Sequence, residues 1–120
     1  MKQKIIGVYP CGTEDIEQVQ REGTGGEFWS MPEKGHIARI KVGGDCDWDE
    51  VISALLHEAF ELQMHRIGCR YDPTGDFGKD HSSYLFVMTH PQYSNVCGRV
   101  AQFLTKAVPA LHKAWKGWGK

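Results

Sequence analysis

The chain has no long hydrophobic run, no strong net charge and no paired cysteines. Its purely apolar stretches are only a few residues long, and residues 1–7 lack the extended apolar core of a signal peptide. The formal net charge is −1, from 14 basic and 15 acidic residues, so no overall field attracts nucleic acid or an anionic membrane. We therefore expect a soluble, cytoplasmic protein without a membrane partner.

The four cysteines are far apart in sequence, and no two of them form a C-x-x-C pair. This spacing argues against a zinc ribbon and against a dithiol redox motif. Because no targeting segment points to an oxidising compartment, we expect reduced thiols rather than disulfides. The four residues are Cys11, Cys46, Cys69 and Cys97.

Length and composition predict one folded domain over residues 1–120. The 120 residues are 41% hydrophobic and 11% aromatic, which is enough to fill a single core. Residues 111–120 form a basic tail that contains Trp115 and Trp118. Such a tail could bind single-stranded nucleic acid through stacking and charge, but its shortness favours a solvated helix end, so we expect no nucleic-acid partner.

The first two predicted elements lie before residue 21. Residues 4–9 are typical of a strand, which we expect to close at Pro10. Residues 13–20 are compatible with a short helix capped by Thr13 or by Asp15. The chain would thus pass from a strand directly into a helix.

Two further strands are predicted between residues 27 and 43. Residues 27–31 indicate a short strand that ends before Pro32. In residues 36–42 apolar and polar side chains alternate, which predicts a half-buried strand stopped by Gly43.

A long helix is predicted from Trp48 to Ile67. Asp47 and Glu50 have the spacing of a capping box, in which a cap oxygen is followed three residues later by a glutamate. Gly68 supplies a stop signal. We therefore expect Asp47 to cap this helix.

The second half of the chain predicts a loop, a strand and a final helix. Residues 70–82 are rich in Asp, Gly and Pro, and a loop of this length favours a functional role. Residues 83–89 are typical of a strand that ends at His90. Pro91 suits the first turn of a following helix, which we expect Pro109 to disturb.

The long helix has two different faces. Because Leu56, Phe60 and Met64 cover much of the circumference, we expect the helix to be buried on most sides, so that its polar groups need partners. One face is apolar and comprises Trp48, Val51, Ile52, Leu55, Ala59 and Leu62. The other face is polar and comprises His57, Glu58, Glu61 and His65.

Residues 57–61, with the sequence His-Glu-Ala-Phe-Glu, predict a metal site on the polar face. His57 and Glu61 are one helical turn apart and point the same way, so they can bind one ion. A hydrolytic zinc ion typically has three protein ligands and one water. His90, at the end of a strand, is the predicted third ligand, and Glu58 is the predicted general base.

Structural roles compete with these functional ones. His57 and Glu61 could form a hydrogen-bonded pair in a core or an ion pair on a wetter face. Glu58 could be a plain surface carboxylate, and His90 could only cap the final helix.

Other side chains are weaker candidates. His65 could replace His90 as third ligand, but a straight helix sets it about 12 Å from position 57. We expect His81 to be a solvated loop residue. Its alternative roles are to serve as a spare metal ligand or to stabilise an oxyanion. Tyr71 and Tyr84 could stabilise an oxyanion in the same way.

The chain resembles small, single-domain zincin-like metallopeptidases, which include short phage and bacterial proteins. Two segments carry the resemblance: residues 55–61, Leu-Leu-His-Glu-Ala-Phe-Glu, and residues 89–93, Thr-His-Pro-Gln-Tyr, which lead into an apolar helix. The chain has a glutamate where the common zincin pattern has its second histidine. The resemblance implies that His57, Glu61 and His90 bind the metal and that Glu58 is the general base.

These observations combine into one predicted architecture and function. We expect an α+β fold with a small, mostly antiparallel sheet and two principal helices, and a zinc site between the active helix and the final one. The predicted function is a zinc-dependent peptidase whose peptide substrate pairs with the strand edge of residues 36–42. The alternative is a catalytically inactive phage or mobile-element accessory protein that binds a host protein, with a structural metal or none.

Overall fold

A computed structural model describes residues 2–30, 37–71 and 84–119. Two helices and six strands lie within these ranges. In chain order they are β1 (Gln3–Cys11), β2 (Glu14–Arg21), β3 (Gly26–Trp29), β4 (Ala38–Gly43), α1 (Trp48–Ile67), β5 (Arg70–Tyr71), β6 (Leu85–Phe86) and α2 (His90–Gly117).

Four of the strands form one sheet in the order β1-β2-β4-β3. The β1–β2 and β3–β4 pairs are antiparallel, and the β2–β4 pair is parallel. The two short strands β5 and β6 pair with each other. The predicted α+β class, with a small, mostly antiparallel sheet and two principal helices, one of them C-terminal, is confirmed.

The predicted helix over residues 13–20 is wrong, because residues 14–21 form strand β2. Cys11 pairs with Glu14 across a two-residue turn, in which Gly12 has a φ of 64°. A glycine with positive φ at this position is typical of the tight turns that join antiparallel strands. The chain therefore folds back as a hairpin, and β1 continues through Pro10, which an edge strand tolerates.

Helix α1 has the predicted bounds, but its start differs from the prediction. Gly68 adopts a φ of 84° and ends the helix as expected. Asp47 has the extended backbone of an N-cap, yet its side chain makes no capping hydrogen bond, so the predicted capping box is wrong. The prediction of burial on most sides is also wrong, because Leu56 is 41% exposed and His57 lies on the surface.

Helix α2 is longer than predicted and includes the basic tail up to Gly117. Thr89, not His90, caps it, through a capping box with Gln92. Pro109 lies inside the helix without ending it. In the tail, Trp115 donates a hydrogen bond from Nε1 to the Cys46 carbonyl oxygen at 2.9 Å, so this ring has a structural contact.

The predicted strand over residues 83–89 is reduced to the two residues of β6. Its only described partner strand is β5, which is equally short, and the amide of Val87 donates to the Cys69 carbonyl oxygen. Residues 72–83, which include His81 and most of the predicted loop, lie outside the described residues.

A single cluster of buried side chains joins the sheet to both helices. Ile16 and Ile40 from the sheet, Leu55 from α1 and Phe103 from α2 are fully buried in it. This packing fixes one side of α1 and leaves its His57 side facing outward.

The four cysteines are free thiols, as predicted. Neither described helix combines the length and apolarity needed to cross a membrane.

Candidate metal centre

Three donor side chains converge on one face of α1. The His57 Nε2 atom lies 3.0 Å from Glu61 Oε2 and 3.8 Å from Glu58 Oε2. The ligand atoms that the three residues offer all lie within 4.8 Å of one another. These residues, His57, Glu58 and Glu61, are hereafter the donor group.

The donor group has the dimensions of a site for a small divalent cation. Two ligand atoms on a tetrahedral zinc ion, with bonds of about 2.0–2.2 Å, lie about 3.4 Å apart. The observed separations of 3.0 Å and 3.8 Å fall on either side of that value. Because small side-chain rotations could equalise them, the donor group could bind a metal ion.

The donor group is exposed on one side and buried on the other. The His57 side chain is 69% exposed, whereas the Glu58 and Glu61 side chains are only 10% and 15% exposed. An ion held here would therefore be reached from the His57 side, with the two carboxylates below it. A catalytic metal needs such an open side, because one coordination position must stay free for water or substrate.

Glu58 lies directly beneath the first residue of β3. A Cβ atom added at Gly26 would lie 3.0 Å from the Glu58 Cγ atom, so a larger residue there would require this side chain to move by a few tenths of an ångström. Burial removes water from the carboxyl and raises its pKa, and the nearby negative charge of Glu61 adds to this effect. The positive charges of His57 and Arg70 act in the opposite direction.

Glu61 is held from two sides. Its Oε2 atom faces the His57 ring, and its Oε1 atom accepts a hydrogen bond of 3.2 Å from Arg70 Nη1. Arg70 is itself enclosed, because the Tyr84 ring lies 4.0 Å and the Phe28 ring 5.6 Å from its guanidinium carbon. The orientation of the Glu61 carboxylate is thus fixed by a cation that lies outside the donor group.

Three cavities meet at the donor group. The first, of about 580 Å³, is lined by Glu58 and His57 together with the loop of residues 24–26. The second, of about 400 Å³, runs along β3 and is lined by Glu58, Glu61 and Arg70 among others. The third, of about 320 Å³, has walls from His57, Glu61, Leu56, Phe60, Met64 and Phe86. A bound ion would therefore border space on three sides, one of them largely apolar.

The predicted substrate edge on residues 36–42 is wrong. Strand β4 is an inner strand, hydrogen-bonded to β2 on one side and to β3 on the other. Its residues 39–42 are paired on both sides, so a peptide could not add to them as a further strand. The edge nearest the donor group is β3, which has no strand on its outer side among residues 2–30, 37–71 and 84–119.

The donor group faces strands β3 and β5, and the placement of a metal between α1 and α2, which depends on His90, stays a prediction. No residue of α2 is among the described residues that line the three cavities. His90 is exposed at the start of α2 and is not part of the donor group, so its role as third ligand stays a prediction. The face of α1 that packs on α2 is the apolar one.

His65 borders the second cavity but does not belong to the donor group. Its pKa is lowered, first by partial burial and then by the positive charges of Arg70 and Arg66. The imidazole therefore favours its neutral form, which can donate or accept a hydrogen bond at the edge of this cavity.

Sequence reasoning missed Arg70 and Gly26. Arg70 is the first residue of the predicted loop of residues 70–82, and no local sequence pattern indicates that its side chain turns back to Glu61. Gly26 is the first residue of β3, one position before the predicted strand of residues 27–31, and no sequence pattern indicates that it lies against Glu58. Both residues touch the donor group through long-range contacts, which local sequence patterns do not encode.

Known proteins give no further guidance to the function of this site: no protein-family model, curated protein or solved structure shows a significant match to the chain.

Proposed function

We propose that this protein is a small zinc-dependent peptidase in which His57 and Glu61 are metal ligands and Glu58 is the general base. The observation that supports the proposal most directly is the convergence of these three side chains within 4.8 Å, at the junction of three cavities. The exposed imidazole of His57 leaves the group open to solvent, while the two carboxylates beside it are largely shielded.

The donor types favour zinc among the common metals. Imidazole nitrogen and carboxylate oxygen together are typical of hydrolytic zinc sites, whereas calcium and magnesium prefer oxygen donors alone. Zinc, when bound, would lower the pKa of a coordinated water and polarise a substrate carbonyl. His57 and Glu61 would supply two ligands, and His90 remains the predicted third.

Glu58 would act on protons rather than hold the metal. Its carboxylate borders both the first and the second cavity, so it can reach a water or an amide from either side of the donor group. Its low exposure keeps bulk water away from the carboxyl. In this position Glu58 would take a proton from the attacking water and pass it to the leaving amine.

Strand β3 would align the substrate. Its outer edge can pair with an extended peptide, which would then run along the second cavity past Glu58. The absence of a side chain at Gly26 lets a backbone approach Glu58 closely at the start of this strand. A peptide bond is thus the class of substrate that the cleft would present to the donor group.

The proposal is tested by the Glu58→Gln variant, assayed with zinc-loaded protein and a mixture of peptides analysed by mass spectrometry. Loss of a general base typically costs about 10²- to 10⁴-fold in rate, so we expect cleavage to fall by that factor while zinc content stays at the wild-type level. Glu50→Gln is the matched control, because Glu50 lines the same cavity but lies outside the donor group.

Two outcomes would overturn the assignment. Equal cleavage by Glu58→Gln and wild type would remove Glu58 from the mechanism. Absence of any cleavage by zinc-loaded wild type across the mixture would favour the alternative, an inactive accessory protein that binds a host partner.

A further inference from the structure

We infer that Arg70 is a positioning residue that holds Glu61 in the orientation required for metal binding. This inference rests on the proposed function, since it gives a role to a residue that contacts a proposed ligand. It is carried by the hydrogen bond of 3.2 Å from Arg70 Nη1 to Glu61 Oε1, which leaves Oε2 directed at His57.

The Arg70 backbone is fixed on both sides. Gly68 ends α1, and the amide of Cys69 donates to the Met64 carbonyl oxygen in the last turn of that helix. Arg70 then pairs with Phe86 in the β5–β6 ribbon. The side chain therefore starts from a defined point, and it turns back over α1 to meet Glu61.

The Arg70 guanidinium also lies close to two aromatic rings. Its central carbon lies 4.0 Å from the centroid of the Tyr84 ring and 5.6 Å from that of Phe28, and the side chain is only 18% exposed. Stacking on a ring face stabilises the cation and restricts its rotation. An arginine with so little freedom loses little entropy when it binds a carboxylate.

This arrangement gives the two oxygens of Glu61 different tasks. Arg70 occupies Oε1, and Oε2 lies 3.0 Å from His57 Nε2, where a shared ion would be bound. Carboxylates that bind metals are commonly fixed by a hydrogen bond of this kind, and removal of such a partner typically costs about 10- to 100-fold in metal affinity.

The competing interpretation is that Arg70 merely replaces the absent cation. In that case its positive charge would repel the ion, and removal of Arg70 would strengthen metal binding. If Arg70 positions Glu61, removal of Arg70 should instead weaken metal binding. The direction of the change in zinc affinity therefore separates the two roles.

The test is a zinc titration against a chromophoric chelator, performed on wild type, Arg70→Ala, Arg70→Lys and Arg39→Ala. Arg39 is the matched control, because it forms an ion pair with Glu17 and alternates in β4 with side chains that face the core, so it points away from α1. We expect about 10- to 100-fold weaker binding for Arg70→Ala, an intermediate loss for Arg70→Lys and no change for Arg39→Ala.

A second readout separates positioning from folding. The visible spectrum of the Co²⁺-loaded protein depends on how many oxygens coordinate the ion, and we expect it to change in Arg70→Ala because Glu61 Oε1 is released. Arg70→Lys keeps the charge and serves as the informative variant if Arg70→Ala does not fold.

Each result has a defined meaning. If wild type binds zinc and the Arg70 variants bind it equally or more tightly, Arg70 is not a positioning residue, and the proposed function stands. If wild type itself binds no zinc, the proposed function fails, and the inference fails with it.

Discussion

The backbone of Gly26 lies so close to Glu58 that an added Cβ atom would make an unusually tight contact with this side chain. A Cβ atom at Gly26 would be 3.0 Å from the Glu58 Cγ atom and 3.1 Å from the Lys41 carbonyl oxygen. The first of these neighbours is a side chain of the donor group, and the second is backbone of the adjacent strand. The start of β3 and the proposed general base therefore depend on each other.

Gly26→Ala should destabilise the protein and disturb the donor group. Because the Lys41 carbonyl cannot move without shifting β4, we expect a loss of about 1–3 kcal/mol in the free energy of unfolding, measured by urea denaturation. Gly98→Ala is the control: no atom lies within 4 Å of a Cβ there, so in helix α2 it should stabilise by roughly 0.5–1 kcal/mol. Equal stability of Gly26→Ala and wild type would contradict the observed packing.

Glu58→Gln should stabilise the metal-free protein at neutral pH. Burial raises the pKa of Glu58 above its ordinary value of 4.5, so the folded state carries a penalty wherever this carboxyl is ionised. As the pH falls towards and below 4.5 the wild-type carboxyl becomes protonated in both states, so the difference in melting temperature between the two proteins should shrink. As the pH rises through the raised pKa, the variant should become the more stable one.

The measurement is thermal unfolding between pH 4 and pH 8 in the presence of a chelator. Glu50→Gln is the control, because Glu50 is exposed and its substitution should produce no comparable trend. A wild type that is more stable than Glu58→Gln at pH 8 would show that an ionised Glu58 stabilises the fold, contrary to this account.

Thr89→Ala should cost more stability than Asp47→Ala. The Thr89 side chain accepts a hydrogen bond from the Gln92 amide, whereas Asp47 makes no capping bond. Loss of a capping side chain typically costs about 1 kcal/mol, so we expect that loss for Thr89→Ala and a smaller one for Asp47→Ala. The measurement is the free energy of unfolding of the two variants by chemical denaturation. A larger loss for Asp47→Ala than for Thr89→Ala would contradict this assignment of the caps.

The sequence predicted those features that local patterns determine. The length of α1, its stop at Gly68 and the alternation in β4 follow from periodicity and turn chemistry within a few residues. The approach of His57 to Glu61 follows from the helical repeat alone, because residues four apart lie on the same face.

Other features depend on contacts between distant parts of the chain. The side chains of residues 14–21 are compatible with either a helix or a strand. This segment forms a strand because its backbone pairs with β1 and β4. The capping of α2 by Thr89 depends on a reciprocal pair of hydrogen bonds with Gln92, and both Thr89 and His90 are compatible with the cap position in the sequence. Arg70 meets Glu61 only after the chain has ended α1 and reversed, which no local pattern indicates.

Substitution of His57 tests the central claim most directly, because this side chain is 69% exposed and its loss should leave the fold intact. Purified, metal-free wild type, His57→Ala and His65→Ala would each be dialysed against zinc and their bound metal counted. His65 lies on the same helix, two turns further on and outside the donor group, and so provides the matched control. We predict one zinc ion per chain for wild type and His65→Ala, and none for His57→Ala. Zinc binding by His57→Ala equal to that of wild type, or no zinc in any of the three, would contradict the account.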